Sequence, residues 1–226
     1  MIKKIFATLF LACAGFGLFA AEDAGRGSVY AGLALPQTYD FTAAEKDGVD
    51  SETYFSWGIN FGLRLPIQGL TGGFFLDSNW YTPYSYRIRE GSTETTFKST
   101  DFEDAWGLDG LIGADFVLVN TGFLIIPVGV GAHVNYFRNK LDGDDDSYIK
   151  ESALLLGLGG FVNAELAITQ KINLYAGLRA SFDFFQKTKL ENAVDMGDKV
   201  VSDTKNSSSG VSVINIVPAI GAIFRF

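Results

Sequence analysis

Residues 55–65 read Phe55-Ser-Trp-Gly-Ile-Asn-Phe-Gly-Leu-Arg-Leu65. The odd positions are apolar: Phe55, Trp57, Ile59, Phe61, Leu63 and Leu65. The even positions are small or polar: Ser56, Gly58, Asn60, Gly62 and Arg64. Successive side chains of a β-strand point to opposite faces, so this alternation makes a ribbon with one oily and one wet face. A soluble sheet can contain one such ribbon. The fold is decided by whether the rest of the chain repeats it at membrane-crossing length.

The pattern recurs. Seven further strands are predicted at 28–35, 72–81, 106–118, 124–136, 154–168, 172–184 and 211–226. In each, apolar residues alternate with Gly, Asn, Asp or Arg. Short turns follow the second, fourth and sixth strands, at 66–69, 120–122 and 169–171. Long polar segments follow the first, third, fifth and seventh. Within the third, 84–90 and 95–100 flank Gly91-Ser92 and predict a projecting hairpin. A soluble sandwich has no reason to sort its connections by parity. A transmembrane barrel does, with short periplasmic turns and longer outer loops. Tilted strands of about 9–11 residues suffice to cross a bilayer. Hydrocarbon offers no hydrogen-bond partners, so a spanning sheet must close on itself. The expected fold is all-β, an eight-stranded antiparallel up-and-down transmembrane β-barrel over 21–226 with four long extracellular loops.

The first 20 residues carry Lys3 and Lys4, an apolar run from Ile5 to Leu18, and a small-residue site at Ala20 or Ala21. They read as a signal peptide over 1–20. The single cysteine, Cys13, lies inside it. It reads as a passive hydrophobe rather than a lipidated residue, and cleavage at Ala20 leaves no thiol for a disulfide or metal. No window after the signal is long and apolar enough for a membrane helix. The net charge of -8 offers no basic face to phosphates, so nucleic acid is not an expected partner.

With the oily faces outward, Arg64, Asp77, Asp109, Asp115, Glu165, Arg179, Asp183 and Arg225 face a lumen narrow enough to be filled by side chains, where they are expected to pair. Leu111, Leu155, Phe161 and Ile223 face the same way. Trp57, Trp80 and Trp106 fall at the outer ends of their strands on the lipid side, where an aromatic girdle belongs. Pro127 and Pro218 lie inside strands, where each removes a ladder donor and predicts a bulge or local break. These features, and the terminal Ala222-Ile-Phe-Arg-Phe226, resemble the small eight-stranded outer-membrane proteins of the OmpA/OmpX and OmpW types. The resemblance implies insertion by the barrel-assembly machinery, which reads a terminal aromatic in such proteins, and residence among outer-membrane lipids.

The chemistry is sparse. His133, the one histidine, faces the lumen with Asn135 two residues on. It lacks a nucleophile in reach and reads as part of a lumen network rather than a lipid-modifying site. Asp142, Asp144 and Asp146 match positions one, three and five of a calcium loop, but Ser147 and Ala153 stand where Gly and Glu are needed. A solvated acidic tip is the default, with a weak divalent site as the alternative. No catalytic, cofactor-binding or metal residue is assigned, and no enzyme is expected. Three functions follow: a structural or surface-exposed barrel whose loops meet host molecules or the lipopolysaccharide layer, a narrow OmpW-like channel for small apolar solutes, and a lipid-modifying enzyme resting on His133. The first is the primary expectation.

Overall fold

A computed structural model describes residues 27–41, 51–67, 72–90, 93–98, 104–142, 148–195 and 200–226. Residues 1–20, which read as a signal peptide, lie outside them with Cys13, Gly91-Ser92 and Asp144 and Asp146 of the acidic segment, as does the side chain of Asp142.

The strands are β1 (Ser28–Ala34), β2 (Gln37–Asp40), β3 (Ser51–Pro66), β4 (Gly72–Glu90) and β5 (Thr93–Lys98), then β6 (Trp106–Asn120), β7 (Leu124–Asp142), β8 (Tyr148–Ala167), β9 (Ile172–Asp195) and β10 (Val200–Arg225). All ten belong to one antiparallel sheet. They make eight staves. β1 and β2 are one stave, interrupted at Leu35-Pro36, because both pair β3 on one side and β10 on the other. β5 pairs only with the outer part of β4 and forms the projecting hairpin. The ring closes where β1 meets β10, from Ser28↔Arg225 to Ala34↔Ala219. Closure leaves no free edge in the belt, as hydrocarbon requires.

The faces are as the alternation predicts. Ile112, Val130, Leu158, Phe182 and Ile220 are exposed on the outside, while Asn60, Asp109, Asn135 and Asp183 are buried within. Leu111, Leu155, Phe161 and Ile223 are buried in the lumen. Two small aromatic layers lie there, Phe75–Leu111–Phe161 and Tyr30–Tyr175–Ile223. Phe75 and Phe161 meet edge to face at 4.8 Å. Gly129 lies under them, and a Cβ there would enter the Phe161 ring, so the bore holds these rings only where its wall has no side chain. Trp57 and Trp80 are outward and exposed, and Trp106 packs on Tyr136 at 5.5 Å.

Both prolines mark irregularities. Opposite Pro127 the β6 register slips between Val117 and Val119, leaving Leu118 as a bulge. The β7–β8 ladder also skips Ile126 and Pro127. Pro218 keeps an unbroken ladder with β9. Its carbonyl accepts from Leu35 N at 3.0 Å, so its missing donor faces the β1/β2 interruption, where no partner is needed.

One expectation is corrected. The segments 139–151 and 186–209 are not polar loops: the β7–β8 ladder continues to Asp142↔Tyr148 and the β9–β10 ladder to Asp195↔Val200. Likewise β3 begins at Ser51 and β4 runs to Glu90, so 36–53 and 82–104 are partly strand. Paired amides hold a hairpin in water without an oily face, so loss of the apolar alternation ends the membrane belt but not the strand. The 24 residues of β9 have a contour of roughly 80 Å at about 3.3 Å per residue. Tilted by about 40°, they rise well past the apolar band of about 25 Å.

Leu33 and Ile220 are partners across the closing seam, both exposed on the outside. In a Cys13→Ser background, Leu33→Cys with Ile220→Cys is expected to form a disulfide in the folded protein, seen as a shifted band on a non-reducing gel. Leu33→Cys with Phe224→Cys, which lies out of register along the same face, is expected to stay reduced.

Candidate functional site

Three regions carry chemistry. The first is the lumen. Each of the eight predicted charges is in an ion pair, and they fall into two networks. Toward the turns with the short connections, Arg64 pairs with Asp115 and, at 2.8 Å, with Glu165, which also receives Arg225 at 2.8 Å. Asn173 donates to the same carboxylate at 3.3 Å. Two cations face two anions, and the set is neutral.

Toward the other end, Arg179 pairs with Asp77 and, at 2.6 Å, with Asp109. Tyr30 donates its hydroxyl to Asp77 at 2.7 Å, and Asn60 donates its amide to the same group at 3.1 Å. His133 bridges Asp109 through Nε2 at 3.1 Å and Asp183 through Nδ1 at 2.6 Å. Asn215 donates to Asp183 at 2.8 Å. Both ring nitrogens of His133 are therefore occupied by carboxylates, and the ring has no exposure. This is a load of buried charge that holds together only as a set: a buried ion left alone costs several kcal/mol. Sequence placed these residues in one lumen but not in these pairs, because partners as distant as Arg64 and Glu165 are set by the stagger of the whole ring.

The second region is the outer mouth. Tyr54 stacks on Tyr86 at 4.4 Å, and Tyr54 donates to Glu52 at 3.5 Å. Glu151 stands beside them. Its carboxyl is pushed up to about 7, first by burial and then by the charges of Glu52 and Asp40. Burial raises Glu52 as well. Next to this mouth the described residues leave a break in the side wall. The β4–β6 ladder ends at Tyr81↔Gly107. Beyond it Tyr84 bulges, β4 turns to β5, and Thr82 bonds across to Ala105 O at 2.7 Å. A groove lined by Tyr54, Tyr81, Pro83, Trp106, Asn135 and Phe137 lies at this break.

The third region was not legible in the sequence. On the outer face of β7–β9 a groove of about 410 Å³ is lined by Tyr136, Arg138, Lys150, Leu154, Lys187 and Lys189, with Glu191 at its rim. Lys187 and Lys189 share a face with Arg138 and Lys150 because Phe184 bulges from β9: Leu156 pairs Phe185 while Gly157 pairs Asp183. The signal available in the sequence was a set of basic residues just past the apolar belt. Among the described residues no group of three His, Cys, Asp or Glu is arranged to hold a metal. Ala153, at the twelfth position of the calcium-loop pattern, is buried in the lumen.

No protein-family model and no curated protein sequence matches the chain. Solved structures do. The outer membrane protein OprG from Pseudomonas aeruginosa is similar over 90% of this chain and 97% of its own, at 13% identity and a TM-score of 0.54. A major outer membrane protein from Thermus thermophilus is similar over 87% of this chain and 99% of its own, at 16% identity and a TM-score of 0.53. At such identities the likeness is one of fold, and it agrees with the ring traced above: a small eight-stranded transmembrane β-barrel.

Two outcomes follow. Arg179→Met leaves Asp77 without its cation and Asp109 with His133 alone, and is expected to cost about 3–5 kcal/mol, read as a lowered urea midpoint for the folded band on an unboiled gel. Adding Asp109→Asn is expected to restore part of it. At the mouth, the native state holds a proton on Glu151 that the unfolded chain releases near the ordinary value of 4.5. Stability is therefore full below about 4.5 and falls as pH rises toward about 7. Hydrogen exchange of the β7–β8 rungs around Asn139 is expected to quicken over that window, and Glu151→Gln to flatten the change.

Proposed function

We propose that the chain is exported by its leader, inserted by the barrel-assembly machinery, and resident in the cell outer membrane, where it acts by surface interaction through hairpins that stand beyond the lipid. The observation that carries this reading is the β9–β10 ladder, which runs to Asp195↔Val200, past Phe185 and Ile214, the outermost large hydrophobics on these strands that are exposed among the described side chains. A chain that needed only an anchor would close its strands at the membrane surface. The partner is a host molecule or the lipopolysaccharide layer around the barrel, met by the outer parts of β3–β5, β7–β8 and β9–β10.

A second reading is favoured by one feature, the break between β4 and β6. The lumen is crossed by fully buried residues, among them Leu111, Glu165 and Asp183. A solute going straight through would have to part the two ion networks. A lateral exit at the groove by Pro83 and Trp106 would bypass both networks; the groove holds about 20 Å³, so passage of a small apolar solute there requires the β4–β6 break to widen. Enzymatic action through His133 has the least support, since both of its nitrogens are engaged and no nucleophile is bonded to it.

Cells producing a form with residues 188–207 replaced by a short turn are expected to keep the barrel in the outer-membrane fraction, still faster on an unboiled gel, while losing binding to whatever surface the intact protein engages. Unchanged adhesion and surface phenotypes would end the first reading. Planar bilayers are expected to show no steady conductance from the purified barrel. Uptake of a small apolar solute that stops on crosslinking β4 to β6 would favour the second.

A further inference from the structure

We propose that the groove between Arg138, Lys150, Lys187 and Lys189 is a binding site for a phosphorylated glycolipid of the surrounding leaflet. The inference deepens the outer-membrane reading and rests on it.

The position is the first reason. Tyr136, Leu154 and Lys187 occupy one rung of the outer face, and Arg138, Ser152 and Lys189 the next. Two residues below, on the membrane side, Val134, Leu156 and Phe185 form an exposed apolar rung. A molecule lying along this wall therefore meets acyl-compatible surface and cationic surface within two steps of a strand. Such a boundary fits an amphiphile whose anionic group sits at the edge of its acyl chains.

Charge is the second reason. The groove carries four cations, and their only ion-pair partners among the described residues are Glu191 and Asp104. Four positive charges against two negative leave a local charge of +2 on a chain whose total is -8. Glu191 draws Lys150, at 2.7 Å, and Lys189 to one point, so two ammonium groups are gathered before any ligand arrives. Lys187 makes no ion pair among the described residues. Arg138 meets Asp104 at 2.9 Å through one terminal nitrogen, while its Nε is buried with no hydrogen-bond partner. The Arg138 side chain is still 32% exposed, and a guanidinium pairs with phosphate through charge-assisted bonds.

Size is the third. About 410 Å³ holds a phosphorylated sugar, within the range of small-ligand sites. The occupant is a membrane glycolipid rather than free phosphate, because the apolar rung below would stay bare against a free anion.

The test uses the purified full chain in detergent, with bisphosphorylated lipid A as the probe and native mass spectrometry as the readout. Lipid A is expected to remain bound, and lipid A stripped of its phosphates is not. Each removed charge is expected to weaken binding about fivefold, so Arg138→Gln with Lys150→Gln and Lys187→Gln loses about 100-fold. Lys187→Gln alone breaks no ion pair and gives the fivefold step if the triple variant does not fold, as judged by its unboiled gel band. Lys171→Gln, at a short turn on the opposite end, is expected to change nothing. Equal binding of lipid A to the triple variant or to Lys187→Gln, equal binding of the dephosphorylated lipid, or displacement by millimolar inorganic phosphate would overturn the site. Cell fractionation separates the two levels: a protein found in the outer membrane that ignores lipid A refutes only the site, and one found elsewhere refutes the location.

Discussion

Hydrocarbon leaves a peptide N–H or C=O nothing to bond to, and an unsatisfied group there costs several kcal/mol. Everything in this molecule that differs from a soluble sheet follows from that. The sheet closes through β1 and β10, so that no amide row faces lipid. The break at Leu35-Pro36 is tolerated because it is set against Pro218, which has no donor to lose, and Leu35 still bonds its carbonyl. Among the described residues the β4–β6 ladder stops just beyond Trp80, at the end of the apolar belt.

Closure turns the usual arrangement inside out. The large aliphatic side chains face lipid and contribute little to holding the ring shut, since they leave one apolar surrounding for another. Specificity falls to the lumen, which holds two ion networks and two aromatic layers, one of them, Phe75 with Phe161, seated over Gly129. The lower set is neutral, and the upper gathers Asp77, Asp109 and Asp183 around Arg179 and His133. Such a core fixes one register, because sliding a charge-bearing stave by one residue would turn its charges toward lipid.

Much of this was legible in the sequence, and for a physical reason. A strand crossing lipid must alternate, so Phe55 to Leu65 announces its faces residue by residue, and eight such stretches with connections sorted by parity specify a barrel. The lumen charges and the prolines were legible for the same reason. The outer reaches were not. Past the belt, water satisfies both faces, and 186–209 loses the apolar beat while keeping its ladder. Bulges were hidden too: Tyr84, Leu118 and Phe184 are ordinary apolar residues, yet the extra residue at Phe184 reverses the parity of β9 and brings Lys187 and Lys189 to the outside. Pair identities such as Arg64 with Glu165 depend on ring stagger, which no single strand contains.

The sharpest test of the whole account is the sidedness of one stave. Nitroxide labels placed one at a time along β6, from Leu108 to Phe116, report collision with oxygen, which concentrates in lipid. The account predicts high values at Leu108, Ile112, Ala114 and Phe116 and low values at Asp109, Leu111, Gly113 and Asp115, with Leu111 protected despite being as oily as its neighbours. A profile without this alternation, or with Leu111 as open to lipid as Ile112, would contradict it.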